Sequence, residues 1–172
     1  MLNLTYITTF VLLLLITVQD FRFRAISWIC IPLLFISVLA KALFVSDSLV
    51  VLDYIMQNIL FIILQMGVLI LYFSIRKKKF ESVINSYIGW GDILFFVAIA
   101  PALCFGNFLL FIVFSILFIL ISYSILSIFK INTNKQIPLA GIQSVFLLFW
   151  FTGEWIFDPS LSYTYLPLYF VS

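Results

Sequence analysis

Long uncharged apolar runs, separated by short polar joints, organise the whole chain. Six stand out: Leu2–Val18, Ile26–Val45, Leu49–Ile75, Ile93–Phe105, Phe108–Phe129 and Pro138–Phe157. Such runs suit helices better than the alternating strands of an outer-membrane barrel. The fourth is short and breaks at Pro101. The first lacks a basic n-region and a small-residue cleavage site, and reads as a retained helix rather than a cleaved signal. The pattern predicts an all-α polytopic membrane protein with about six transmembrane helices. Residues 1–158 form one membrane-embedded domain. The tail Ser160–Ser172, with Tyr163, Tyr165, Pro167 and Tyr169, is expected to lie at the interface, because Pro159 and Pro167 would break a seventh span.

Composition supports this. Of 172 residues, 65% are hydrophobic and 9% charged, against about 25% charged in an average soluble chain. Too few charges are present to cover a water-facing surface. Net charge is +2, too small to suggest a nucleic-acid partner. There is no histidine, which removes Ser-His-Asp and Cys-His hydrolases and histidine metal sites. Cys30 and Cys104 sit inside apolar runs and form no CxxC, so neither a metal framework nor a cofactor site is expected.

The placement of charge says more than its sum. Arg22 and Arg24 follow the first run, Arg76 and Lys77–Lys79 the third, and Lys130 and Lys135 the fifth. Cytoplasmic loops are enriched in Lys and Arg, so the N-terminus is expected outside, with these three loops in the cytoplasm. Lys77–Lys79 serves first as a topology anchor and second as a contact for anionic membrane lipids. Lys41 falls outside the pattern, near the outer end of the second run, where its stem is expected to snorkel to the interface. Asp47, Asp53, Glu154 and Asp158 fall on the outer side and are expected to be solvated.

Two of the remaining carboxylates carry candidate chemistry. Asp20 ends the first run in Val18-Gln19-Asp20-Phe21-Arg22, and Asp92 opens the fourth in Gly89-Trp90-Gly91-Asp92. The topology puts both at the cytoplasmic edge. A charge at the bilayer centre costs about 2.5–3.5 kcal/mol on insertion scales, so ionisable residues at spans usually face a partner or a cavity. Plainer readings exist: Asp92 as a helix N-terminal carboxylate, and Asp20 in a local ion pair with Arg22 or Arg24. Glu81 reads as a partner of the basic run before it. If Asp20 and Asp92 meet at about 4–5 Å, they repel by roughly 3–4 kcal/mol at an effective dielectric near 20. That is enough for the pair to hold one proton near neutral pH. One carboxylate then serves as base toward water while its protonated partner polarises a peptide carbonyl. Gly89 and Gly91 let backbone and carboxylate approach an extended peptide, or shape an ordinary loop-to-helix turn.

At these residues the sequence resembles the type IV prepilin peptidases and preflagellin peptidases, membrane aspartic proteases of the GxGD class. Gly89-Trp90-Gly91-Asp92 matches the second catalytic-aspartate motif of that family. Asp20, with Arg22, Arg24 and Ile26 after it, resembles the first, and Ile137-Pro138-Leu139-Ala140-Gly141 resembles the start of its last conserved helix. The resemblance implies a six-helix endopeptidase that cuts a basic leader from prepilin-like precursors at the cytoplasmic face of a bacterial inner membrane. Asp20 and Asp92 would be the catalytic pair, in a loop shaped by Gly89 and Gly91. The substrate would be a protein with a basic leader and a hydrophobic helix. Leu94 stands where many bacterial members carry lysine, and Ser27 where a proline is common. No tetracysteine motif is present, so no methyltransferase activity is implied. Two other readings stay open: a non-catalytic scaffold or assembly protein of the same fold, and a small transporter using the aspartates as proton or cation sites. Oligomeric state is left open.

Overall fold

The computed structural model describes residues 1–77, 89–128 and 139–164. Each of the six apolar stretches forms a helix: α1 (Leu2–Phe23), α2 (Cys30–Val45), α3 (Ser48–Lys77), α4 (Trp90–Ile99), α5 (Phe105–Ile128) and α6 (Leu139–Phe157). A 3-10 turn, Ala100–Ala102, joins α4 to α5, and no strand occurs among the described residues. Three segments, Leu2–Phe23, Ser48–Tyr72 and Leu139–Phe157, are long and apolar enough to cross a membrane. At 1.5 Å per residue the 22 residues of α1 run about 33 Å, close to the ~30 Å of a bilayer core. That fits a membrane protein. Large apolar side chains such as Leu60, Leu64, Leu71, Phe118 and Ile121 face outward, as a lipid-facing surface requires.

α1 packs along α6 and α2, and α2 reaches α4. Between them lies a core that includes Leu13, Ile16, Leu34, Val38, Phe95, Ile99, Phe108, Phe111, Leu147 and Phe151, all with no more than 0% relative exposure. The break at Pro101 arises where the sequence places it. Proline removes an amide hydrogen and crowds the carbonyl four residues back. The irregular backbone is paid for locally: Asn58 Nδ2 donates to Ala100 O (2.8 Å) and Leu103 O (2.9 Å). Tyr163 OH donates to Pro101 O (3.1 Å), and Cys104 N to Ser162 O (2.8 Å). Non-helical backbone at membrane depth persists only when protein groups satisfy it in this way.

Two charge expectations are corrected here. Lys41 does not snorkel and Glu154 is not solvated: both are fully buried, with Lys41 Nζ 2.8 and 3.1 Å from the two carboxylate oxygens of Glu154. Ser162 Oγ donates to the same carboxylate at 2.6 Å, and Trp150 Nε1 donates to Ser162 Oγ at 3.2 Å. The Lys41 ammonium also stands 3.7 Å from the centre of the Phe151 ring. Sequence placed both residues at the outer ends of helices, where water is the default partner. Packing of α1, α2 and α6 gave them each other instead. Ser162 and Tyr163 of the tail are drawn into this cluster and buried. Lys78, Lys79, Glu81, Lys130, Lys135, Ile137, Pro138 and Tyr165–Ser172 lie outside the described residues.

Candidate functional site

The site grows from three helix ends. α1 stops because Arg24 adopts a left-handed conformation (φ 54°, ψ 30°) and its amide turns back onto Asp20 O at 3.0 Å. This is a common helix-ending geometry that usually employs glycine. The connector that follows is pinned by Gln19, whose Oε1 accepts from Ser27 N at 2.9 Å. It also carries Ile26 against the start of α4, where a Cβ added to Gly91 would lie 3.5 Å from Ile26 Cδ1. The aliphatic residue after the first aspartate thus holds the second motif beside it.

α4 begins with Gly89 as its N-cap residue, which puts Asp92 in the first turn. The Gly89 amide acts on the Asp92 carboxylate and lowers its pKa, as free amides at a helix N-terminus do. The helix-terminal reading of Asp92 is therefore part of its structure. It is only part, because the backbone amide of Ala140 also acts on the same carboxylate and lowers its pKa. Asp20 Oδ2 accepts from the next amide, Gly141 N, at 2.6 Å. Two carboxylates from helices 72 residues apart in sequence therefore rest on consecutive amides at the start of α6. There, unpaired N–H groups and the helix dipole favour negative charge. Arg24 is an electrostatic neighbour of Asp20, so the local partner expected for Asp20 is present as well.

Asp92 stands ahead of the apolar part of its helix, at the edge of the bundle. Its carboxyl is pushed up from 3.8 to about 6, chiefly by burial and then by the negative charge of Asp20; the Ala140 and Gly89 amides pull it back down. Asp20 is 7% exposed and Asp92 is partly exposed, so the pair is open at Asp92. Such an arrangement can hold a single proton between two carboxylates and present it to a group arriving from the open side.

The two motif glycines have different reasons. Neither has a positive φ, so conformational freedom is not what either supplies. A Cβ on Gly89 would come 3.1 Å from Asp92 Oδ2, whereas one on Gly91 would make ordinary contacts with Ile26. Gly141 is tighter still, with Asp20 Oδ2 and the Phe21 ring both 3.0 Å from the added atom. Ala140 and Gly141 were legible only as part of the third motif; nothing in their side chains marks them, because their contribution is a pair of backbone amides. We expect Gly141→Ala to displace the Asp20 carboxylate and lower any activity of the pair at least tenfold. Gly91→Ala should leave activity within about threefold, and Gly89→Ala should fall between. Equal effects at all three positions would show that the crowding is irrelevant.

Comparison with protein-family models, curated proteins and solved structures finds no match to the chain.

Proposed function

We propose that this protein is a membrane aspartic endopeptidase of the prepilin-peptidase type. The observation that carries the reading is the convergence of Asp20 and Asp92 on the consecutive amides of Gly141 and Ala140. All three motifs that resemble the family contribute to that one point. In this reading the six helices are six spans, the N-terminus lies outside, and the pair works at the cytoplasmic face of a bacterial inner membrane. The ionised carboxylate takes a proton from water as the water attacks the scissile carbonyl. The protonated carboxyl donates to the carbonyl oxygen; as the tetrahedral intermediate collapses, the other carboxyl passes the proton it took from water to the leaving nitrogen, and the first takes its own proton back from the intermediate's hydroxyl. The amides of Ala140 and Gly141 hold the carboxylates in place and stabilise their negative charge.

The substrate is a precursor with a basic leader, drawn to the acidic pair, followed by a hydrophobic helix. An apolar groove of about 390 Å³ between α3 and α4 suits such a partner. Ile93, the residue after Asp92, lines it, together with Val97, Met66 and Gly67, and a Cβ on Gly67 would meet nothing within 4 Å. Ala98, Ala100 and Ala102 are buried within the bundle and do not line the groove. A scaffold needs no partly exposed carboxylate pair.

Co-expression with a pilin-like precursor from the same genome, followed by mass measurement of the new N-terminus, tests the proposal directly. Loss of a basic leader is expected; an intact precursor across all candidate pilin-like substrates would overturn it. The reaction also has a pH signature. With Asp92 raised to about 6, the pair keeps its proton below that value and is doubly ionised above it. Cleavage by the purified protein should therefore fall as pH rises beyond about 6, approaching tenfold per unit, and recover when pH is lowered. A rate that stays flat from pH 6 to 9 would exclude a shared proton at this pair.

A further inference from the structure

Buried side-chain polar atoms in folded proteins nearly always have hydrogen-bond partners, and an exception calls for an explanation. Gln143 is such an exception. It has 0% relative exposure, yet neither its Nε2 nor its Oε1 has a partner within the protein. Other orphan atoms among the described residues are easier to account for. Asn58 Oδ1 belongs to a carboxamide whose nitrogen already makes two bonds, and Ser74 Oγ is a hydroxyl on a residue 7% exposed. Tyr6 OH is a near neighbour of the Glu154 carboxylate. Gln143 leaves a whole carboxamide unpaired.

Its position gives the unpaired carboxamide a meaning. Gln143 lies three residues after Ala140, hence about 4.5 Å further along α6 than the amide that serves Asp92. Side chains on a helix lean toward its N-terminus, so this carboxamide extends back toward the level of the two aspartates. A carboxamide offers two donors and an acceptor oxygen, and a buried water needs two to four polar partners. We propose that Gln143 holds the water that the Asp20–Asp92 pair activates: its oxygen and amide bind the water from the core side, while the carboxylates bind it from the other. This rests on the endopeptidase reading above. It adds a third side chain to the site, one that no motif marks. In the reaction the water gives one proton to the ionised carboxylate and its oxygen forms the new bond to the scissile carbon; Gln143 exchanges no proton and orients a lone pair.

Gln143→Leu keeps the approximate volume and removes both polar groups, and Gln143→Asn keeps the carboxamide on a shorter stem. Leu should fold at least as well as wild type, since it buries no unpaired amide, yet lower kcat about 10- to 100-fold with KM within twofold. Asn should recover part of that loss. Leu with full kcat would show that Gln143 is a packing residue, and an increase in KM alone would assign it to substrate binding; either result overturns the proposal. A measurement independent of activity completes the test. In detergent-solubilised protein with 15N-labelled glutamine, the Gln143 side-chain amide, assigned by its loss in Gln143→Leu, should show a cross-peak to bound water. A dry amide overturns the proposal whether or not the protein cleaves. A hydrated amide in a protein that cleaves no precursor would count against the endopeptidase reading alone.

Discussion

Replacing Asp92 by asparagine is expected to abolish leader removal while the protein accumulates normally in the membrane. Asparagine keeps the size of the side chain and presents a carbonyl oxygen to the Gly89 and Ala140 amides that act on Asp92. The helix start should survive, because Asn serves well at helix N-termini. What disappears is the titrating proton. General acid–base steps contribute about 10²–10⁴-fold to enzymatic rates, so the loss should be at least of that size. Asp20→Asn should do the same, and the double variant should be no worse than either single one, because the two carboxylates act as a unit. The stability sign is opposite. Burial and the neighbouring charge raise the Asp92 carboxyl from 3.8 to about 6 in the folded protein. The folded state therefore binds that proton more tightly than the unfolded one, and stability from this group is full below about pH 4 and lost as pH rises through 6. Asp92→Asn removes the charged form and should raise the melting temperature in detergent at pH 7.5. A variant that neither loses cleavage nor gains stability would mean that Asp92 is an ordinary solvated helix cap.

The second large effect belongs to the other end of the bundle. Lys41 and Glu154 are both fully buried, 2.8 Å apart, with Ser162 completing the carboxylate and Phe151 facing the ammonium. Removing one member of such a pair leaves a buried charge uncompensated, at a cost of about 3–5 kcal/mol, whereas replacing both by apolar groups is often nearly neutral. Lys41→Met and Glu154→Gln should each destabilise the protein severely. Lys41→Met combined with Glu154→Leu should recover most of the loss. Reversible unfolding in mixed micelles, read as a double-mutant cycle, measures the coupling. Additive effects would mean that the two side chains are solvated independently. The distance from this pair to the aspartates is about 14 residues along α6 (140 to 154), or about 21 Å. If Asp20 and Asp92 form the proposed catalytic pair, the double variant should therefore keep its cleavage rate once folded.

The contrast between these two clusters shows how much of the protein was legible beforehand. Asp20 and Asp92 were readable because each carries a charge at the end of an apolar run, where physical cost calls for a reason. The Pro101 break was readable because proline acts locally. Lys41 and Glu154 were misread by the same logic. A charge near a helix end has water as its default partner, and 113 residues separate the two in sequence. Ala140, Gly141 and Gln143 escaped for a different reason. The first two act through amides that every residue possesses, and a glutamine inside an apolar helix has no signature until its neighbours are known.

The sequence by itself determined the helices, their apolar character, the broken fourth segment and the two candidate carboxylates, because each follows from residues within a few positions of one another. Only the tertiary structure decided that α6 brings the consecutive amides of Ala140 and Gly141 to the aspartates, that Gly141 must lack a side chain there, and that Lys41 pairs with Glu154. Those outcomes depend on where helices distant in sequence cross. Local pattern does not contain that information, because burial and hydrogen bonding are set by which surfaces finally meet.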